Sequence, residues 1–416
     1  MDRNSPIPAS DKNCLRELAK KQLEYANLPV MAERKQLWTL HNRLQGKQPM
    51  VVMEEGTFAN DILPPVRCQH PLASAMERQL AQNIAAYEIF DDDKVMPDFF
   101  TVNYAINTQF LGLKQKKTYA QNGLGYHIEP LFETLEKGLP LLRPSEYTCN
   151  NKETENYEKA AADILGDLLP VVKKNDFNIW FFNPTCHIVE MMSMENMYCA
   201  MISEPDEFHA LMRAVIDDLA RSLRWQEENQ LLALNNGNDY MGSGSYCFSD
   251  ELPLADFSGK VRAKDIWGHI NSQESVGISP GHFAEFIYPY YEILAKEFGL
   301  VYYGCCEPVH AYWDSLSRLP KLRKVSISAW CDEEIMGERL TSGNIIYSRK
   351  PSPNFLGIAR DFDEDAFTAH IKKTAEAVKG KCKAEFIFRD VYSLRGNLDK
   401  IRRAVDITRS IAETMY

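Results

Sequence analysis

The chain has 416 residues, 45% hydrophobic and 25% charged, the composition of a globular protein with a sizeable core. A net charge of -11 without a basic patch argues against nucleic-acid binding. No apolar run reaches the ~18 residues of a membrane span, so no membrane association is expected.

Residues 1–13 are polar and show no apolar leader segment, so the cytoplasm is the expected compartment. Ten cysteines are scattered without a CxxC pair. In a reducing compartment they serve as small hydrophobes, metal ligands or reactive groups. Residues 1–46 read as a helical extension rich in Ala, Leu, Glu, Lys and Arg. Two helices there would suit packing on a core or an oligomer arm, and a homodimer is one assembly they would serve.

From residue 47 to 416 the pattern alternates between strands and helices. Residues 49–56 read as a buried strand ending in carboxylates, 72–90 as a helix and 98–104 as a strand. Residues 107–152 read as a long excursion with scattered Gly, Pro and Asn. A helix follows over 153–169, then a strand at 177–183, helices at 191–201 and 206–229, and a strand at 231–236. The last third is the most regular. Strands are expected at 265–270, 301–304, 325–330, 344–348 and 384–389, with helices at 280–298, 311–319, from 332, 363–378 and 397–415. Pro280 and Gly299 bracket the first of those helices in the usual order. This βα alternation implies a parallel sheet, and its repeat count fits an α/β (β/α)8 TIM barrel with an N-terminal helical extension. No glycine-rich phosphate fingerprint follows any strand, which weighs against a dinucleotide fold.

In such a fold the ligand site lies where strands end. Glu54, Asn235, Asn236, His269, Gln273, Glu274, Cys306, Glu307, Cys331, Arg389 and Asp390 all fall at these positions. The stretch Gly304-Cys305-Cys306-Glu307-Pro308-Val309-His310 is the densest, and strand alternation would turn Cys305 away from Cys306 into packing. Glu307, Cys306 and Cys331 form a donor set of the type zinc accepts. Glu307, Asp390 and His269 are the candidate catalytic groups. Glu54, Asn235, Asn236, Gln273, Glu274 and Arg389, with the aromatics Tyr303 and Trp330, are the candidate substrate contacts. For each residue taken singly, helix capping or core packing explains the same side chain.

Several blocks in order resemble the uroporphyrinogen decarboxylase superfamily, in its methyltransferase-like branch of corrinoid-dependent enzymes. They are Pro49 to Glu54, Leu234 to Pro253, Trp267 to Glu274, Tyr303 to Glu307, Leu319 to Trp330 and Asp390 to Arg395. The resemblance implies a (β/α)8 barrel that moves a methyl group between a small substrate, such as a methyl ether, and the cobalt of a corrinoid-binding partner protein. It also implies zinc as a Lewis acid on the reacting heteroatom. The chain departs from the family's metal patterns. Gly304 stands where thiol-type members carry His, Arg389-Asp390 where they carry a last Cys, and Ser328 where ether-demethylating members carry His after Glu292 and Glu307. A metal-free decarboxylase-like lyase and a non-catalytic small-molecule binding barrel are the alternatives. The arginine-rich strand that holds a polycarboxylate in the decarboxylase is replaced here by Val51-Val52-Met53-Glu54-Glu55-Gly56.

Overall fold

A computed structural model of the protein describes residues 5–119 and 126–415. Residues 120–125, within the expected excursion, lie outside the described residues, as do 1–4. The N-terminal part forms α1 (Ala9–Ala26) and α2 (Pro29–Asn42). Parallel strands then recur along the chain: β1 (Met50–Met53), β2 (Phe100–Asn103), β3 (Val171–Lys174), β4 (Trp267–Ile270), β5 (Leu300–Tyr303), β6 (Leu322–Ile327), β7 (Ile346–Arg349) and β8 (Ala384–Phe388). Six of them make one parallel sheet in the order β1-β8-β7-β6-β5-β4. The first strand therefore pairs with the last, Met50 against Glu385 through Met53 against Phe388. β2 and β3 form a separate parallel pair.

The strand period of two divides this sheet cleanly. Val51, Met53, Val301, Tyr303, Val325, Ile327, Phe386 and Phe388 point to one face and join the main apolar core. Helices cover that face, among them α3 (Pro71–Phe90), α4 (Glu364–Val378) and α5 (Asp399–Ala412). Asp363 caps α4, its Oδ1 accepting the Ala366 amide at 2.9 Å. The other face carries His269, Tyr302, Lys324, Ser326, Ser348, Lys350 and Glu385, all buried.

Two strand expectations are corrected. The aromatic run at 177–183 has the composition of a strand but forms a short helix, Asn178–Phe181. The Phe177 and Phe181 rings pack one turn apart, tilted, with centroids 4.3 Å apart, so the apolar side chains satisfy one another along a helix. The strand of that unit lies earlier, at β3. Residues 231–236 pack Leu231 and Leu232 into the interior without joining a ladder. Asn235 instead braces β4 with its side chain, donating to the Trp267 carbonyl at 3.1 Å and accepting the Trp267 amide at 2.9 Å. The expected helix over 280–298 carries a π segment, Phe283–Ile287, and ends at Ala295.

Candidate functional site

The polar face of the sheet continues upward into the strand ends. Low on that face, Glu385 Oε2 accepts from Lys324 Nζ at 3.0 Å and Ser245 Oγ at 3.0 Å, and meets His41 Nε2 of α2 at 3.1 Å. Burial would raise the Glu385 carboxyl, but the Lys324 ammonium and His41 outweigh it and hold the group below the carboxylate range. This buried network is a structural floor. It ties α2 to the sheet and pairs Glu385 with Lys324, while Glu385 Oε1 and His41 Nδ1 meet no hydrogen-bond partner among the described residues.

A hairpin, Tyr240 to Tyr246, reaches onto the same face. A side chain at Gly242 would meet the Tyr302 ring at 2.4 Å, and one at Gly244 would meet Ile387 at 2.5 Å. Both glycines have positive φ, so no other residue type fits there without displacement. Between them, Ser243 Oγ donates to the Gly304 carbonyl at 3.2 Å.

Above this floor the reactive groups gather. Gly304 has φ +99, and the chain turns sharply there. The turn breaks the strand alternation and brings the Cys305 and Cys306 sulfurs to 3.5 Å, which corrects the expectation that Cys305 points away. The S–H of Cys306 and the nearby Arg389 charge pull Cys305 below the ordinary thiol value against its burial. Cys306 is pushed up by the same pairing and by burial. Cys306 Sγ stands 4.0 Å from Asp390 Oδ2.

Arg389 follows β8 and pairs with Asp390, Nε to Oδ2, at 3.2 Å. Its guanidinium lies over the Trp180 ring, 5.6 Å from the centroid. Its Nη1 is buried and meets no hydrogen-bond partner among the described residues. Glu54, at the end of β1, is raised by burial, with the Arg389 charge opposing. Tyr240 is also raised by burial and sits within the field of both Glu54 and Arg389.

His269 packs edge-on to Trp180 at 4.9 Å, with Nδ1 3.0 Å from the Ile179 carbonyl and Nε2 3.3 Å from the Gly304 carbonyl. Burial pushes it down to about 4, so the ring is neutral at pH 7. Lys350, directly after β7, hydrogen-bonds Tyr302 Oη, and Ser348 Oγ at 3.0 Å. Burial pushes its amine down to about 7. A cavity of about 220 Å³, bordered by Asn103, Lys174, Asp176, Tyr240 and His269, opens beside this cluster between β3 and β4.

Glu54, His269, Cys306, Arg389 and Asp390, all expected from sequence, thus share this end of the sheet. The others have different surroundings. Glu307 is fully buried, with Oε1 accepting the Ser272 amide at 3.0 Å and Oε2 the Cys305 amide at 2.8 Å. Cys331 lies 3.4 Å from His310 Nδ1. Glu307, Cys306 and Cys331 do not bring their ligand atoms within 4.8 Å of one another, so this donor set does not fit a zinc ion. Asn236 ties down the backbone of Ser249 and Leu252. Glu274 accepts from Thr185 Oγ1 at 2.8 Å, and the Gln273 amide faces Asn271 Oδ1 at 3.5 Å. Tyr303 points to the helix-covered face and bonds Ser272. Trp330 is 75% exposed. Sequence reasoning offered Tyr240 among aromatics that could line a pocket, and passed over Trp180, Ser243 and Lys350 as site residues. Only Lys350 carried a local signal, its place at the end of a strand.

No protein-family model matches the chain, and no curated protein matches it by sequence. Eighteen chains of known structure resemble its fold. One is a methyltransferase from Methanosarcina mazei, with a TM-score of 0.51 and 13% identity, the match covering 89% of this chain and 97% of that one. At that identity the likeness describes the fold. Among the described residues, no helix is long and apolar enough to cross a membrane.

Proposed function

We propose that the chain closes as a (β/α)8 barrel and transfers a methyl group from a small methylated compound, such as a methyl ether, to a corrinoid carried by a partner protein. Pairing of the first strand with the last supports the barrel, and β2 and β3 supply the two remaining parallel strands. The observation that carries the function is Arg389. It presents an unpartnered, buried guanidinium N–H beside a thiol pair, at the end of the sheet where barrel enzymes bind substrate.

A bound corrinoid supplies a strong nucleophile for the methyl carbon. The rim fits a large apolar partner. Trp180, Val276, Trp330, Ile358 and Tyr392 are exposed apolar side chains on connections that follow β3, β4, β6, β7 and β8. The chain's own groups act on the other side of the methyl bond. Arg389 Nη1 and the Tyr240 hydroxyl orient the leaving oxygen and offset its developing charge. Glu54, kept protonated more readily by burial, donates its proton to that oxygen, which retains the bonding pair as the methyl group departs. Trp180 and His269 wall the site against water. Zinc enters no step, because Glu307, Cys306 and Cys331 do not bring their ligand atoms together.

The test mixes the purified protein with a reduced corrinoid protein and a panel of methyl ethers and methylamines. Methylation of the corrinoid, read by absorbance, is the expected result, and no methylation with any donor would overturn the proposal. Arg389 and Glu54 also serve a second reading, a lyase that anchors a substrate carboxylate on the guanidinium and returns a proton from Glu54. Release of carbon dioxide without any corrinoid present would favour it.

A further inference from the structure

Apart from the groups above, a second cluster of ligand atoms stands in a separate small core. We infer that Cys14, Cys68 and Glu77 form a structural zinc site that fastens the N-terminal helix α1 to the connection entering α3. Their ligand atoms all lie within 4.8 Å of one another, and among the described residues no other group of three His, Cys, Asp or Glu side chains does so. Cys14 is 9%, Cys68 7% and Glu77 4% exposed.

Zinc bonds thiolate sulfur at ~2.3 Å and carboxylate oxygen at ~2.0–2.2 Å, which sets tetrahedral ligand atoms about 3.4–3.8 Å apart. A small inward movement of the three side chains reaches that spacing.

The backbone around the cluster is already fixed in place. Cys68 lies in a turn whose four successive amides are all held by two carboxylates. Glu77 accepts from Arg67 at 3.0 Å and Cys68 at 2.7 Å, and Asp11 Oδ2 accepts from Gln69 at 3.0 Å and His70 at 2.9 Å. Asp11 and Cys14 share one face of α1, so the carboxylate that clamps the turn also sets the first thiol beside the second. This is the arrangement by which outer groups orient metal ligands. A water would complete four-coordination.

The charges also balance. Two thiolates, one carboxylate and a divalent ion leave one negative charge, and the Arg67 guanidinium stands 3.6 Å from Glu77 Oε1 to offset it. Zinc binds cysteine as thiolate, and ordinary thiols are protonated at pH 7 while carboxyls are not, so binding displaces two protons, one from each sulfur.

The test is metal analysis of the full chain purified from zinc-supplemented cells. The inference expects about one zinc per chain. Cys14→Ser and Cys68→Ser should lose it, Glu77→Gln should bind it at least about tenfold more weakly, and a Cys306→Ser/Cys331→Ser variant should keep it. If the cysteine variants do not fold, the wild-type chain still decides. Cobalt replacement should give a thiolate charge-transfer band, two protons should be released per ion, and alkylation of Cys14 and Cys68 should require a chelator. Absence of metal, metal that stays in the Cys14 and Cys68 variants, or a Cys14–Cys68 disulfide in the isolated protein would overturn the inference. Methyl-transfer assays of the same samples report separately on the barrel mouth, so failure of one reading is distinguishable from failure of the other.

Discussion

The two faces of the six-stranded sheet obey different rules. The helix-covered face is mainly apolar, with Arg349 of β7 ion-paired to Glu333 at 2.7 Å among side chains that others of similar volume could replace. The opposite face buries His269, Lys324, Lys350 and Glu385 within the same strands. Each of these is held by named partners, and a buried polar group that loses its partner is expensive. One face is held by apolar packing and the other by paired polar groups, and both are buried. Burial alone therefore does not separate core from site in this molecule. Pairing narrows the search without ending it: Arg389 Nη1 lacks a partner, as do Glu385 Oε1 and His41 Nδ1 of the floor, and of these three Arg389 is the one that follows a strand's carboxyl end.

The contrast can be broken by substitution. Phe386→Ala, on the apolar face, should lower stability by about 3–5 kcal/mol in denaturant titration, with kcat/KM of the folded fraction unchanged. Glu385→Gln should lower stability by about 3–5 kcal/mol, because it strands the Lys324 ammonium without its carboxylate. A Lys324→Met/Glu385→Leu pair should recover most of that loss, and failure to recover would mean the network does more than satisfy its own charges. Arg389→Met should reverse the pattern, with a ~100-fold fall in kcat/KM from a lost charged hydrogen bond of ~3 kcal/mol and little change in melting temperature.

Lys350 sharpens the comparison through pH. Its amine falls from an ordinary 10.5 to about 7 in the fold. Between those values the unfolded chain binds a proton that the folded chain does not, so stability rises with pH across that window. Lys350→Met should flatten the rise in a melting series from pH 7 to 10. Trp330→Ala, on the rim, should change stability by no more than about 0.5 kcal/mol while weakening corrinoid-protein binding in a titration.

The later strands, from β4 to β8, are legible in sequence because each is an apolar run set between well-marked helices. β3 is not, since Val171 to Lys174 is short and half polar, and the neighbouring aromatic run outweighs it in β propensity. Glu54, His269, Cys306, Arg389 and Asp390 were readable because a strand end is a local property. Trp180 and Ser243 come to the site through packing between distant segments, which no spacing rule encodes. Glu307 shows the converse. It stands at a strand end, yet two amides occupy its carboxylate, and it serves to shape the turn that pairs the cysteines.

Pairing of Met50 with Glu385 has a consequence for synthesis. The first strand leaves the ribosome long before its partner exists. At ~5–20 residues per second the wait is roughly half a minute. Through that interval Met50, Val51, Val52 and Met53 form an apolar segment with an open edge, the type of segment that chaperones shelter and that aggregates when they do not. A nascent chain stalled before β8 should therefore be protease-sensitive at its beginning as well as its end, and release of the last fifty residues should protect both together.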